Sequence, residues 1–311
     1  MRFDSYHPLV NFVFFASVLV MAGSFNQPVF LSLSLVTSFV CLFSIRKKTA
    51  VVTGIFLLCF TLAYALYYST FHHFGVTVLR SNVINNQITV EAFVFGMVQG
   101  IKISAVILWL RSFMTIFSMD KVVYLLGCIL PKLSLFLAIT LRYLPLINKR
   151  FAEIKVARKC IGRGIEQKNP VKFLKNISQV LAATVNWSLE AMIIISNSMR
   201  SRGYQLRKRT AYELFSFGSR DRIMLLVMTL AQTCIWSGHF LDQTRSIYNP
   251  EITINQITIF SYLFYTVYAF YCLVPVALQL YNHLRFDYLL AKYDEALMDI
   301  SDPVLYGKQR Y

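Results

Sequence analysis

Residues 28–45 read PVFLSLSLVTSFVCLFSI, eighteen positions without one charged side chain, and mostly apolar runs recur at 8–24, 50–70, 91–118, 222–240 and 257–281. A helix needs about twenty such residues to cross the hydrocarbon core of a bilayer. Inside that core every backbone polar group must be satisfied within the segment, which leaves the helix as the form for a single apolar run. The pattern therefore predicts an all-α integral membrane protein with about six transmembrane helices. A chain that is 56% hydrophobic and 15% charged, with mean hydropathy +0.53, is not a soluble domain.

Charge gives these runs an orientation. Of the net charge of +16, +12 lies between Arg142 and Arg222, where seventeen Lys and Arg face five Asp and Glu. Arg46-Lys47-Lys48 sits between the second and third runs. Basic short loops remain in the cytoplasm, so alternation places both termini and the basic segment inside. The loops at 25–27, 71–90 and 241–256 then fall outside. A basic cytoplasmic block fits an acidic protein surface or the anionic inner leaflet of the lipid bilayer; no nucleic-acid-binding module is present, so no nucleic-acid partner is expected. The expected divisions are a four-helix membrane part (1–118), a cytoplasmic or interfacial module (119–221), a two-span membrane part (222–281) and a cytoplasmic tail (282–311). Met21-Ala22-Gly23 has the look of a signal-peptide end, but a second span follows at once, and the first run is read as a retained anchor. Six singly spaced cysteines read as reduced packing residues. Lys102, deep in the fourth run, is expected to face protein rather than lipid, in a contact with another subunit or with an intramolecular partner.

The module at 119–221 is read as amphipathic helices lying at the inner face of the membrane, with the runs at 122–141 and 177–195 interfacial rather than spanning. Pro131 suits the first turn of one helix. From Pro170, apolar residues recur at Leu174, Ile177, Leu181, Val185, Leu189, Met192, Ile195 and Met199, a helical period. That stripe runs on to Arg202 at the helix end, where Gly203 supplies the left-handed residue that closes a helix. An apolar helix tip carrying one rigid fork of donors suits a groove that holds a carboxylate. The pattern of Ser201-Arg202-Gly203 occurs earlier as Gly162-Arg163-Gly164, also closing a basic helical stretch. Two such tips suggest two docking points.

These residues resemble the transmembrane T component of energy-coupling factor (ECF) transporters, including the cobalt-uptake branch. The segments that carry the likeness are NNQITVEAFVFGMVQGIKISAVILWL, TIFSMDKVVYLLGCILPKLSLFLAITLRYLP, ARKCIGRG and SLEAMIIISNSMRSRGY. The resemblance implies a scaffold whose long coupling helices end in small-Arg-Gly motifs and dock into two ABC-type ATPase subunits. Gly162, Arg163, Gly164, Ser201, Arg202 and Gly203 would form those motifs. It further implies that Leu133, Leu137 and Leu141, with Ile177, Leu181 and Val185, face a substrate-binding membrane S component, which captures a vitamin or transition-metal ion. The chain itself would hold no cofactor and carry out no catalysis, ATP and Mg being used by the partner ATPases in a bacterial cell membrane. Two departures stand out: many members have alanine where this chain has Gly162, and an acidic residue often precedes the second motif, where this chain has Arg200.

Two other classes compete for a chain of this composition. A membrane transferase needs clustered carboxylates for a metal and a phosphate group, but the acids here are scattered and no H-E-x-x-H, P-loop or G-x-S-x-G is present. A stand-alone permease for a metal ion is the stronger rival, because His72-His73 could supply imidazole ligands. No further His, Cys or acid is evidently placed to complete that site.

Overall fold

The structure, a computed structural model, describes residues 3–72, 75, 77–81, 87–165, 170–204, 215, 217–242, 244, 246–248, 252–253 and 258–300. Two compact units are formed, one from Met1–Ser118 with Ser216–Tyr311 and one from Met119–Phe215.

The first unit contains α1 (Pro8–Ser24), α2 (Pro28–Ile45), α3 (Lys47–Phe71), α4 (Val90–Ile116), α8 (Ser219–Phe240) and α9 (Ile259–Ile300). Proline opens α1 and α2 at a position where the missing N–H would have no helical partner. One departure from the all-helical expectation is a short antiparallel hairpin, β1 (Val78–Ser81) with β2 (Gln87–Thr89), in the segment read as an outer loop. The core is aromatic: Phe14, Phe15, Phe30, Trp109, Tyr268 and Tyr271 are all fully buried. The polar ends of Trp109 and Tyr271 are served inside the bundle. Trp109 Nε1 donates to Ser34 Oγ at 3.2 Å, and Gln232 Nε2 donates to the Tyr271 hydroxyl at 2.8 Å. Small residues bring α3 and α4 together, since a Cβ added at Gly96 would lie 2.9 Å from Ala65 Cα and one at Gly100 3.2 Å from Thr61 Cα. Lys102 Nζ donates to Asn26 Oδ1 at 2.9 Å, so the deep lysine has an intramolecular partner.

At the start of α8, Asp221 acts as a staple that the sequence reading missed. It is buried and accepts from the backbone N–H of Gly218 and of His7, each at 3.0 Å. The N-terminal segment is thereby tied to the beginning of α8.

The second unit contains α5 (Met119–Ile129), α6 (Pro131–Cys160) and α7 (Pro170–Ser201). Ser134 Oγ donates to the Val123 carbonyl at 2.7 Å and closes the α5–α6 corner. Helices α6 and α7 form an antiparallel hairpin, as its cross-links show. Arg158 donates to Gln179, and the Arg150 guanidinium lies 4.9 Å from the centre of the Trp187 ring.

Among the described residues six helices are long and apolar enough to cross a membrane: α2, α3, α4, α7, α8 and α9 over Ile259–Leu290. The number expected is reached with a different membership. Helix α1, at 17 residues, is the shorter apolar helix, while α7 qualifies although its run was read as interfacial. The hydropathy of α7 comes from one strongly apolar side; its sequence also carries Lys172, Lys175, Asn186 and Glu190.

Candidate partner-docking site

Both arginine motifs lie in the second unit, each at the C-terminal end of a long helix. The last turns are basic, with Arg158 and Lys159 in α6 and Arg200 in α7, which complements the negative end of the helix dipole. Each helix is closed by a glycine in the left-handed conformation, Gly162 at φ 76° and Gly203 at φ 74°.

The closing hydrogen bonds have one pattern at both ends. After α6, the N–H groups of Gly162 and Arg163 donate to the carbonyls of Lys159 and Arg158, each at 3.0 Å. After α7, those of Gly203 and Tyr204 donate to Arg200 and Met199, each at 3.1 Å. This is the Schellman closure, in which two carbonyls left unpaired by the last turn are satisfied by the residues that follow. It gives the tips a fixed backbone.

Arg163 and Arg202 are exposed, and among the described residues neither guanidinium makes an ion pair or side-chain hydrogen bond. Ser201 Oγ donates back to the carbonyls of Asn197 and Ser198, each at 3.0 Å, holding the last turn of α7. The first tip is pinned differently, because Asn176 Nδ2 donates to the Gly164 carbonyl at 2.9 Å and ties the turn to the start of α7. Sequence reasoning did not single out Asn176; an amide side chain nearly two turns into the following helix was the only hint.

Because the hairpin is antiparallel and Gly164 is held beside Asn176, the two arginines stand at opposite ends of α7. A rise of 1.5 Å per residue puts them about 40 Å apart. The structure does not gather the six leucine, isoleucine and valine positions into one patch. Leu133, Leu137 and Leu141 lie towards the Arg202 end, where α6 and α7 enclose a groove of about 520 Å³ lined by Phe136, Tyr143, Ile195, Met199, Arg200 and Tyr204, among others. Ile177, Leu181 and Val185 belong to the other end, near the Arg158–Gln179 contact. Leu133, Leu181 and Val185 are exposed; Leu137, Leu141 and Ile177 are half-buried.

For a metal ion, no group of three or more His, Cys, Asp or Glu is assembled among the described residues. His72 stacks on Tyr68 with ring centroids 4.0 Å apart and planes 1° from parallel. His73 lies outside the described residues.

Residues 4–212, which include both tips and the whole of the α5–α7 unit up to Tyr204, match the CbiQ family, described as cobalt transport protein. The chain belongs to the CbiQ family. A 99-residue stretch is 29% identical to a protein of Leuconostoc gelidum subsp. gasicomitatum named energy-coupling factor transporter transmembrane protein EcfT. That stretch is 32% of this chain and 37% of the relative, so the chain spans little more than a third of the relative's length. CbiQ-family membership upholds the resemblance drawn from the motifs and makes the chain a membrane transport component.

Proposed function

We propose that the chain is the T component of an ATP-driven ECF-type importer, a non-catalytic scaffold that couples ABC-type ATPases to a substrate-binding S component. The observation that carries this reading is the pair of exposed arginines, each held on a rigid helix closure and set about 40 Å apart by the length of α7. A planar guanidinium on a fixed backbone grips a carboxylate with two parallel hydrogen bonds, which transmits direction as well as force. With one tip in each of two ATPases, closure of the ATPases around ATP and Mg moves the two ends of one hairpin. The hairpin then acts as a lever, and its exposed apolar sides pass the motion to the S component. Substrate, a vitamin or a transition-metal ion, is held by that S component, and this chain holds no cofactor. The basic module and both termini lie on the cytoplasmic side of a bacterial membrane in this reading.

The test uses the full complex in lipid vesicles. Arg163→Glu and Arg202→Glu each lower transport-coupled ATP hydrolysis, and the double variant abolishes uptake, whereas Lys149→Glu, an exposed charge in mid-α6, leaves both near the unaltered level. Normal assembly and transport by the double variant would refute the lever.

A further inference from the structure

Helix α9 continues well beyond its crossing. It starts at Ile259, and about twenty residues carry a helix through a hydrocarbon core. Its last buried side chain among the described residues is Pro275, and His283 to Leu290, Lys292 and Tyr293 are all exposed. That extension has an apolar side. Phe286, Leu289, Leu290 and Tyr293 recur at the spacing of one helix face, and Phe286 is 62% and Tyr293 68% exposed. The sequence carries the same seven-residue period on to Leu297 and Ile300. An apolar stripe standing beyond the lipid calls for a cover. Its two edges differ in sign. Arg285 and Lys292 directly precede Phe286 and Tyr293, and Asp287 and Asp294 directly follow them. At 3.6 residues per turn, the positions before and after a residue fall on opposite sides of it, so one edge of the stripe is basic and the other acidic.

We propose that this stripe pairs with the same stripe of a second copy of the chain, in a short parallel coiled coil beyond the membrane. Direction and charge select this occupant. Copies placed in one bilayer by the same charge asymmetry run parallel. A twofold axis between two parallel helices sets the basic edge of each against the acidic edge of the other, whereas an antiparallel pair would set like against like. The stem of Arg285 then covers Leu290 of the second copy, and its guanidinium reaches the second copy's Asp287, a carboxylate that His283 Nδ1 holds at 2.7 Å within its own helix. The anionic inner leaflet is the poorer cover. Between His283 and Ile300 four acidic residues stand against two basic ones, so this stretch is repelled by a surface that attracts the basic module. A short pair suffices because the bilayer already holds both helices upright, which removes much of the orientational cost of association. The proposal goes beyond the function proposed above and does not depend on it: two transport components are tied side by side, whatever each one carries.

The first test places the photo-crosslinker p-benzoylphenylalanine at Phe286 of the full chain, one aromatic ring for another, and irradiates membranes of cells that make it. A product of twice the chain's mass is expected from Phe286, and none from the same probe at Leu284 on the opposite side of the helix. An adduct with a different protein or with lipid, a self-product of equal yield from Leu284, or no product at all would overturn the proposal. The second test measures energy transfer between separately labelled full chains diluted in lipid vesicles. Arg285→Glu with Lys292→Glu makes both edges acidic and is expected to weaken association about tenfold. Adding Asp287→Arg and Asp294→Arg reverses the edges and is expected to restore it, which a merely structural role for these residues would not do. Association unchanged by the first pair of substitutions, or lost and not regained with the second, would overturn the proposal.

Discussion

The seventeen residues of α1 bury eight side chains, whereas the thirty of α6 bury only Tyr143 and the thirty-two of α7 only Val180 and Thr184. The first unit is knitted by aromatic rings and short internal hydrogen bonds; in the second, α6 and α7 are two rods touching along one line. A protein interior holds its shape through close packing, and a helix pair with so few buried residues is held by its ends and by whatever covers it. The difference separates a closely packed part from one that leaves most of its surface open, and in the proposed reading the open part is the one that partners grip. In the α5–α7 unit, exposed apolar residues such as Leu174, Leu189 and Ile194 remain for partners or lipid.

Substitutions can break this contrast or sharpen it. The largest effect on stability is expected from Trp109→Ala, which empties the aromatic core and should cost about 3 kcal/mol or more in denaturant unfolding of the purified protein. Leu181→Ala, on the exposed side of the hairpin, should leave that unfolding within about 0.5 kcal/mol of the unaltered chain. A similar loss for both would erase the distinction between the units. Next is Gly96→Leu, whose side chain would meet the backbone of Ala65 and push α3 from α4; a fall in thermal midpoint of several degrees is expected, about 1 to 3 kcal/mol. Gly23→Ala, with nothing within 4 Å of the new atom, should instead be neutral or mildly stabilising. Gly203→Ala forces a left-handed alanine at a cost of about 1 kcal/mol, and here transport-coupled hydrolysis should fall further than the thermal midpoint does.

Smallest is a pH effect at the staple of the first unit. Partial burial holds the His7 imidazole below its ordinary value of 6.5, against the opposing pull of the Asp221 carboxylate. Neutral His7 accepts the Leu9 N–H at Nδ1 and caps α1. A group whose folded value is depressed in this way favours the fold fully above its ordinary value. That contribution is lost as pH falls below 6.5 through the lowered one. The hydrogen-exchange protection factor at the start of α1 should therefore fall as pH drops below 6.5, and His7→Asn, which keeps a capping acceptor, should flatten the response.

Much of the fold was legible because the bilayer imposes a length and an apolarity on anything that crosses it. The limits at Pro8, Pro28, Pro131 and Pro170 were legible for a related reason, since proline marks the first turn of a helix. Helix α7 was ambiguous because a one-sided amphipathic helix of 32 residues meets the length and apolarity of a span while carrying charges along its other side. At the two tips the arginines were legible, and so was the left-handed closure at Gly203; the closure of the first tip was not. Glycine flanks Arg163 on both sides, and local sequence does not say which one reverses the chain. The choice fell to Gly162, and the turn beyond it is held by Asn176 from the next helix. Likewise, the leucines of α6 and the isoleucine and valine of α7 share a period, but only the antiparallel pairing sends them to opposite ends.

Helix α9 runs unbroken for 42 residues, about 63 Å at 1.5 Å per residue, roughly twice the thickness of a hydrocarbon core. About half of that length is surplus to a crossing, and its C-terminal part stands clear of the lipid as a mast continuous with the last span, with Tyr293 exposed near its far end. In the proposed lever reading, a fluorophore on that mast stays with the first unit. Paired with a second dye near Cys160 or Ser201, it would give a ruler on which a stroke of the hairpin, as proposed, is read as a change in energy transfer.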